Sequence, residues 1–271
     1  MIVDFHTHVF PDKIASKTID TLAKLSNNTP YTDGTTNGLI ASLEKSNVDV
    51  AVALPVLTKP TQFDSVLNFA ISINGKYAKE SKKIISFAGM HPDCDDIYAK
   101  MKLVKDSGIK GVKIHPDYQD TFIDDDKYIE ILKCAKDLDL IVVTHAGVDD
   151  GYIGKPIKCP PVLVKKVIEK VGHNKFVLGH YGAHKQWQEV LDLLSDLDVY
   201  FDTALAPKKI DKDLFNKILL KHGSDRVLFA TDSPWGDVNE DILLIKEMVK
   251  DKSALDNIFY KNACKLLGIG E

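Results

Sequence analysis

Near the start of this 271-residue chain, two histidines stand two positions apart in the run Ile2-Val3-Asp4-Phe5-His6-Thr7-His8. The residues leading into them are apolar and strand-like, and along a strand successive side chains alternate faces. His6 and His8 are therefore expected on one face with Asp4 below them, and Phe5 and Thr7 turned away. Two neutral imidazoles converging on one point suit a divalent cation better than an apolar core.

Four further histidines repeat this placement. Strands are predicted over residues 2–6, 48–54, 84–90, 109–115, 140–145, 175–180, 198–202 and 226–232, as short apolar or β-branched runs bounded by Gly, Pro, Asn or Asp. His91, His115, His145 and His180 each fall at or just past the end of one of them. Helical periodicity separates nearly all the strands, for example over 128–136, 162–171, 187–194, 214–221 and 241–249. Eight strands alternating with helices predict a parallel sheet covered by helices. The chain length matches the roughly 250 residues of a closed (β/α)8 TIM barrel, and no linker divides it, so one domain over 1–271 is expected. An open doubly wound sheet is the rival, but no Gly-rich phosphate-binding turn follows any strand. The polar stretch 26–37 reads as a long loop over the barrel mouth between two helices.

In a barrel the C-terminal strand ends surround one mouth, where active sites are built. His6, His8, His91, His115, His145 and His180 then share one rim, joined by Asp232 from the eighth strand. His173 and His222 precede the sixth and eighth strands and are expected near the opposite face, at the surface or capping. A zinc-like ion on imidazoles lowers the pKa of its water to roughly 7 and polarises a carbonyl. A carboxylate beside that water, such as Asp232, can accept its proton and pass it to a leaving group. Hydrolysis of an amide, lactone or ester is the simplest reaction these parts support. Asp149, His184 and Asp202 follow the strands and could shape the pocket, with Tyr181 and Trp235 as an aromatic wall.

Five motifs in order carry a resemblance over the length of the chain: Asp4-Phe5-His6-Thr7-His8, Gly111-Val112-Lys113-Ile114-His115-Pro116, Thr144-His145-Ala146-Gly147, Gly179-His180-Tyr181-Gly182 and Thr231-Asp232-Ser233-Pro234. The sequence resembles the amidohydrolase superfamily of metal-dependent barrel enzymes, and within it amidohydrolase family 2. The resemblance implies a divalent metal, commonly zinc, held by His6, His8, His145 and Asp232. His180 is then either a ligand or the residue that orients and deprotonates the water. The family also holds non-oxidative decarboxylases, which makes a lyase the runner-up to a hydrolase. A non-catalytic metal-binding protein on the same scaffold is the third reading.

Lys113 divides these readings further. It shares strand parity with Gly111 and His115 and should point into the barrel, where a lysine is costly unless paired, neutralised or modified. In one branch of the superfamily a lysine here is carboxylated and bridges two metals, and the Lys-Ile-His-Pro run is similar to that site. The alternative pairs Lys113 with Asp4 beside a single ion, and one metal per chain is the favoured count. His115 would then face substrate or support the site, and His91 could contact substrate.

Composition excludes more than it selects. With 35 basic and 39 acidic residues the net charge is −4, which gives no general attraction to nucleic acid or anionic membrane. The lysines are expected on solvated helix faces. Apolar runs are strand-sized, far short of the roughly 18 residues that span a bilayer, and no secretory leader is expected. The expectation is a soluble cytoplasmic enzyme with a small-molecule substrate, a homo-oligomer remaining open. Cys94, Cys134, Cys159 and Cys264 are widely spaced and should be free thiols. The single arginine, Arg226, lies at the bottom of the eighth strand, away from any substrate carboxylate, and its absence from the rim favours hydrolysis.

Overall fold

The structure, a computed structural model, describes residues 1–77 and 80–270. Among these residues nine short strands run β1 Val3–Thr7, β2 Val50–Ala53, β3 Lys83–Ser86, β4 Ala88–Gly89, β5 Gly111–Ile114, β6 Ile141–Thr144, β7 Phe176–Leu178, β8 Tyr200–Asp202 and β9 Val227–Leu228. All neighbours pair in parallel, in two sets ordered β1-β2-β3 and β4 through β9. β3 and β4 are halves of one predicted strand, interrupted at Phe87, whose amide still donates to the Ala53 carbonyl. The eighth predicted strand is regular only over β9. Beyond it the chain continues to pair with β1: Phe5 N–H donates to Phe229, Asp232 N–H to His6 and His8 N–H to Ser233. These bonds, with a parallel bridge between Thr7 and Ser233, join the last strand to the first. The architecture is the α/β TIM barrel, with eight strand positions.

Two apolar clusters reflect the period-2 alternation of the strands. One unites Ala51, Ala53, Val112, Ile114, Val142, Phe201 and Phe229 with the helices, including α2 Thr36–Ser46, α3 Phe63–Tyr77, α4 Ile97–Asp106, α5 Asp126–Asp137 and α6 Pro161–Val171, whereas α1 Asp12–Ser26 buries Ala15 and Ile19 outside it. The other joins Val3, Phe5, Val50, Val52, Phe87, Ile141, Val143, Val177 and Leu228 as the interior filling. The later helices are α7 Trp187–Leu193, α8 Lys212–His222, α9 Val238–Met248, α10 Lys252–Asp256 and α11 Asn262–Leu267. Ala263, Leu266 and Leu267 of α11 pack into the interior cluster and close the bottom of the barrel.

One local irregularity corrects the predicted pattern of the first strand. Register slips between Asp4, opposite Ala51, and Thr7, opposite Ala53, so three steps on β1 match two on β2. A bulge of this kind changes the facing of the residues within it. Phe5 is not turned away but packs in the interior against Phe87, with ring centroids 6.0 Å apart. Asp4 does not lie below the histidines: its carboxylate accepts the hydroxyl of Thr231 at 2.6 Å and the amides of Thr231 and His6.

The bottom-face histidines are also corrected. His173 and His222 are buried rather than at the surface. His173 Nε2 donates to the Leu140 carbonyl at 2.9 Å, and His222 Nδ1 lies 3.2 Å from that of Ser195. All four cysteines are free. Among the described residues no helix is long and apolar enough to cross a membrane.

Candidate metal centre

The strand ends converge as the barrel geometry requires. His6 lies within β1 and Lys113 within β5, while His115 and His145 directly follow β5 and β6, His180 follows β7 and Asp232 follows β9. Together with His8 and Trp235 they line one cavity of about 190 Å³, walled on its apolar side by Val9, Phe10, Leu22, Val56, Val148 and Leu205. An engineered apolar cavity of about 150 Å³ holds benzene, so this space takes a molecule built around a ring or a few carbons. His180 and Asp232 sit in the left-handed region, at φ of 60° and 62°, uncommon for residues with a side chain. Asp232 is held there by its amide bond to His6 and that of Trp235 back to it.

Hydrogen bonds assign the protons on the rings. His8 Nδ1 lies 2.8 Å from the Leu54 carbonyl and His180 Nδ1 3.1 Å from that of Ala204. A carbonyl only accepts, so both rings carry a proton on Nδ1, which in the neutral ring leaves Nε2 bare. His6 Nδ1 faces the Asp202 carboxylate at 2.8 Å, which does the same for its Nε2. With His180 Nε2 bare, the 2.9 Å contact to His145 requires His145 Nδ1 to donate. His145 Nε2 is then also bare, and it is buried without a partner.

Asp232 Oδ1 stands 3.1 Å from His8 Nε2 and 3.4 Å from His6 Nε2. With neutral rings, three lone pairs meet there, a donor set that suits a cation. The nearest charge is the Lys113 ammonium, 3.0 Å from His6 Nε2. The partner expected for Lys113 was Asp4, but the bulge removes Asp4 from reach, and Asp202 and Asp232 supply the attraction instead. Burial outweighs that attraction and lowers the Lys113 pKa to about 8. Burial also keeps His6 and His145 neutral, well below the usual histidine range, and lowers His180 to about 4. At Asp232 burial pushes upward, while attraction to His6, His8 and His180 in their protonated forms pulls the carboxyl back below the usual carboxylate range.

Of the four expected ligands, His6, His8 and Asp232 form one group whose donor atoms lie within 4.8 Å of one another. His145 falls in a second group with His115 and Asp149, and reaches the first through His180. Asp149, 3.5 Å from His115 Nε2, is raised by burial to about 7.

Other expected contacts are not made. His91 does not line the cavity, and its Nδ1 accepts the Asp93 amide at 3.1 Å. Tyr181 is fully buried behind the site, stacked on Phe215 with its hydroxyl donating to the Phe215 carbonyl, so Trp235 alone of the expected aromatic pair reaches the cavity. Tyr118, in the loop after β5, lines the cavity instead and was not anticipated. Its position just past the Lys-Ile-His-Pro run was the available signal.

Comparison with known proteins agrees with this architecture. A family model described as amidohydrolase matches residues 3–269. No curated protein matches the chain. Among solved structures, an uncharacterized TIM-barrel protein of Bordetella bronchiseptica superposes with a TM-score of 0.78 at 14% identity, covering 98% of both chains. A 5-carboxyvanillate decarboxylase of Sphingomonas paucimobilis gives 0.70 at 13% identity, covering 99% of both. A dihydroxybenzoic acid decarboxylase of a Polaromonas species, with bound manganese and the inhibitor 2-nitroresorcinol, gives 0.71 at 13% identity, covering 98% of this chain and 96% of the other.

Proposed function

The chain belongs to the amidohydrolase family, and from that premise we propose that it is a metal-dependent hydrolase cleaving a C–N or C–O bond of a small amide, lactone or ester. The observation that carries this reading is the convergence of His6 Nε2 and His8 Nε2 on Asp232 Oδ1, at 3.4 and 3.1 Å. These residues would hold a divalent cation; His145, the fourth proposed ligand, stands in the neighbouring group with His115 and Asp149, its Nε2 buried without a partner, and would have to turn to join them. Such a cation supplies Lewis acidity, acidifying water toward a pKa of roughly 7 and polarising a carbonyl. Zinc is the proposed ion; histidine and carboxylate donors accept manganese as well.

The chain's own residues divide the remaining work. Asp202 and the Leu54 and Ala204 carbonyls fix the rings of His6, His8 and His180, so their lone pairs face the cavity without reorganisation. Asp232, ionised and at the cavity edge, is the base that takes a proton from water and returns it to the leaving group. His180 orients this exchange. The apolar wall, with Trp235, takes the substrate body and excludes water.

Decarboxylation of an aromatic acid is the second reading. It is favoured by the Sphingomonas and Polaromonas decarboxylases, which share this fold, and by the aromatic side chains of the cavity. The absence of arginine from the cavity lining weighs against it, because a substrate carboxylate would have Lys113 as its one lysine there. The deciding experiment incubates zinc- and manganese-loaded enzyme with neutral aryl esters, lactones and amides in parallel with hydroxybenzoates. Acid release from the neutral set supports hydrolysis; carbon dioxide from the hydroxybenzoates would replace it with the lyase.

A further inference from the structure

We infer that His115 and Tyr118 form a paired hydrogen-bond donor that grips an oxygen of the substrate, a role that rests on the proposed function only for what the rest of that substrate is. The cavity histidines fall into two classes by the protons they carry. His6, His8 and His180 donate from Nδ1 to an oxygen and present bare Nε2 atoms. His115 is the reverse: the backbone N–H of Tyr118 points at its Nδ1, 3.4 Å away, so Nδ1 holds the lone pair and Nε2 carries the proton.

The plane of this ring is fixed. It is stacked between Tyr118, at 3.9 Å and 22°, and His145, at 4.4 Å and 10°. Among the described residues the only carboxylate near Nε2 is Asp149 at 3.5 Å, too long to satisfy the donor. Tyr118 lines the same cavity, its hydroxyl makes no hydrogen bond among the described residues, and its ring is braced by Tyr152 at 5.6 Å. The polar lining otherwise mixes acceptors, Asp149, Asp150 and Asp232, with donors, the Lys113 ammonium and Thr18, Ser26, Asn28 and Thr58. Two stacked, unsatisfied donors on such a wall match an sp² oxygen, which has two lone pairs to offer. The oxygen is that of a neutral carbonyl or of a carboxylate, and burying it without these donors would leave it unpaired.

The test uses the full chain labelled with ¹⁵N-histidine, in chelated and zinc-loaded forms, with benzamide and benzoate as probes. Long-range ¹H–¹⁵N spectra, with His115→Gln to assign the signal, should show His115 as the Nε2–H tautomer in both forms. One probe should shift that signal saturably: benzamide marks a carbonyl site, benzoate a carboxylate site. Tyr118→Phe and His115→Phe, which keep the stacked rings, should each weaken the probe about five- to tenfold, and His115→Gln, which keeps a donor, should weaken it less. An Nδ1–H tautomer at His115, no shift by either probe, or unchanged binding in both Phe variants would overturn the assignment. None of these readouts depends on turnover, so a failure of the hydrolase reading is seen separately.

Discussion

The Asp202 carboxylate lies 2.8 Å from Nδ1 of His6 through one oxygen, and through the other accepts the backbone amides of His180 and Ala204. One fully buried residue thus orients a proposed ligand ring and the backbone of its neighbour on the rim. Removing the charge while keeping the volume should loosen the cation rather than the fold. Asp202→Asn is expected to lower zinc affinity by about 10–100-fold, read by chelator competition, with the thermal midpoint little changed. Wild-type affinity in this variant would mean that His6 is not oriented through Asp202.

His8 and Asp232 meet at 3.1 Å, and both lie outside the two apolar clusters. His8→Ala and Asp232→Asn should therefore unfold at denaturant concentrations close to wild type. Loss of the proposed base should cost about 10²–10⁴-fold in turnover. His8→Ala should in addition lose bound metal on dialysis. Should either variant keep both metal and turnover, its assignment fails.

The elements were legible from period and punctuation, because apolar or β-branched runs of about five to seven residues followed by helical stripes leave few other folds for a chain of this length. What escaped was set by tertiary context. The bulge in β1 has no sequence signature at Asp4-Phe5-His6, yet it sends Phe5 inward and Asp4 to Thr231. Tyr181 follows a rim histidine and looks like a pocket residue, but its left-handed backbone, at φ 58°, accompanies a ring stacked on Phe215 behind the site. Tyr118 enters the cavity because the loop after β5 folds back on His115, a contact that no strand parity encodes.

The buried histidines at the bottom set a pH limit. Burial lowers both His173 and His222 to about 4 from the usual 6.5. Their folded-state pKa values are depressed, so between pH 6.5 and 4 the unfolded chain binds protons that the folded chain refuses. Their contribution is present above pH 6.5 and lost as pH falls toward 4, by about 3 kcal/mol per histidine. Urea unfolding at pH 7 and pH 4.5 should show this loss. His222→Phe, which retains a ring against Phe201, should lose less over the same interval. A wild-type stability that stays flat across the window would refute the assignment.

Lys113 decides the number of cations. Its ammonium is buried beside His6 with Asp202 and Asp232 near, so its charge is compensated without modification, and one cation per chain is the expected content. A carboxylated lysine requires the neutral amine, and a pKa lowered to about 8 makes that form accessible under mildly alkaline conditions. The measurement is therefore made at pH 8.5 with bicarbonate, where modification has its best chance. Intact mass should equal that of the sequence, metal analysis should find one equivalent, and Lys113→Met should leave that equivalent in place. A mass increase of one carbon dioxide, accompanied by a second equivalent that the Met variant lacks, would instead make Lys113 a bridge between two ions.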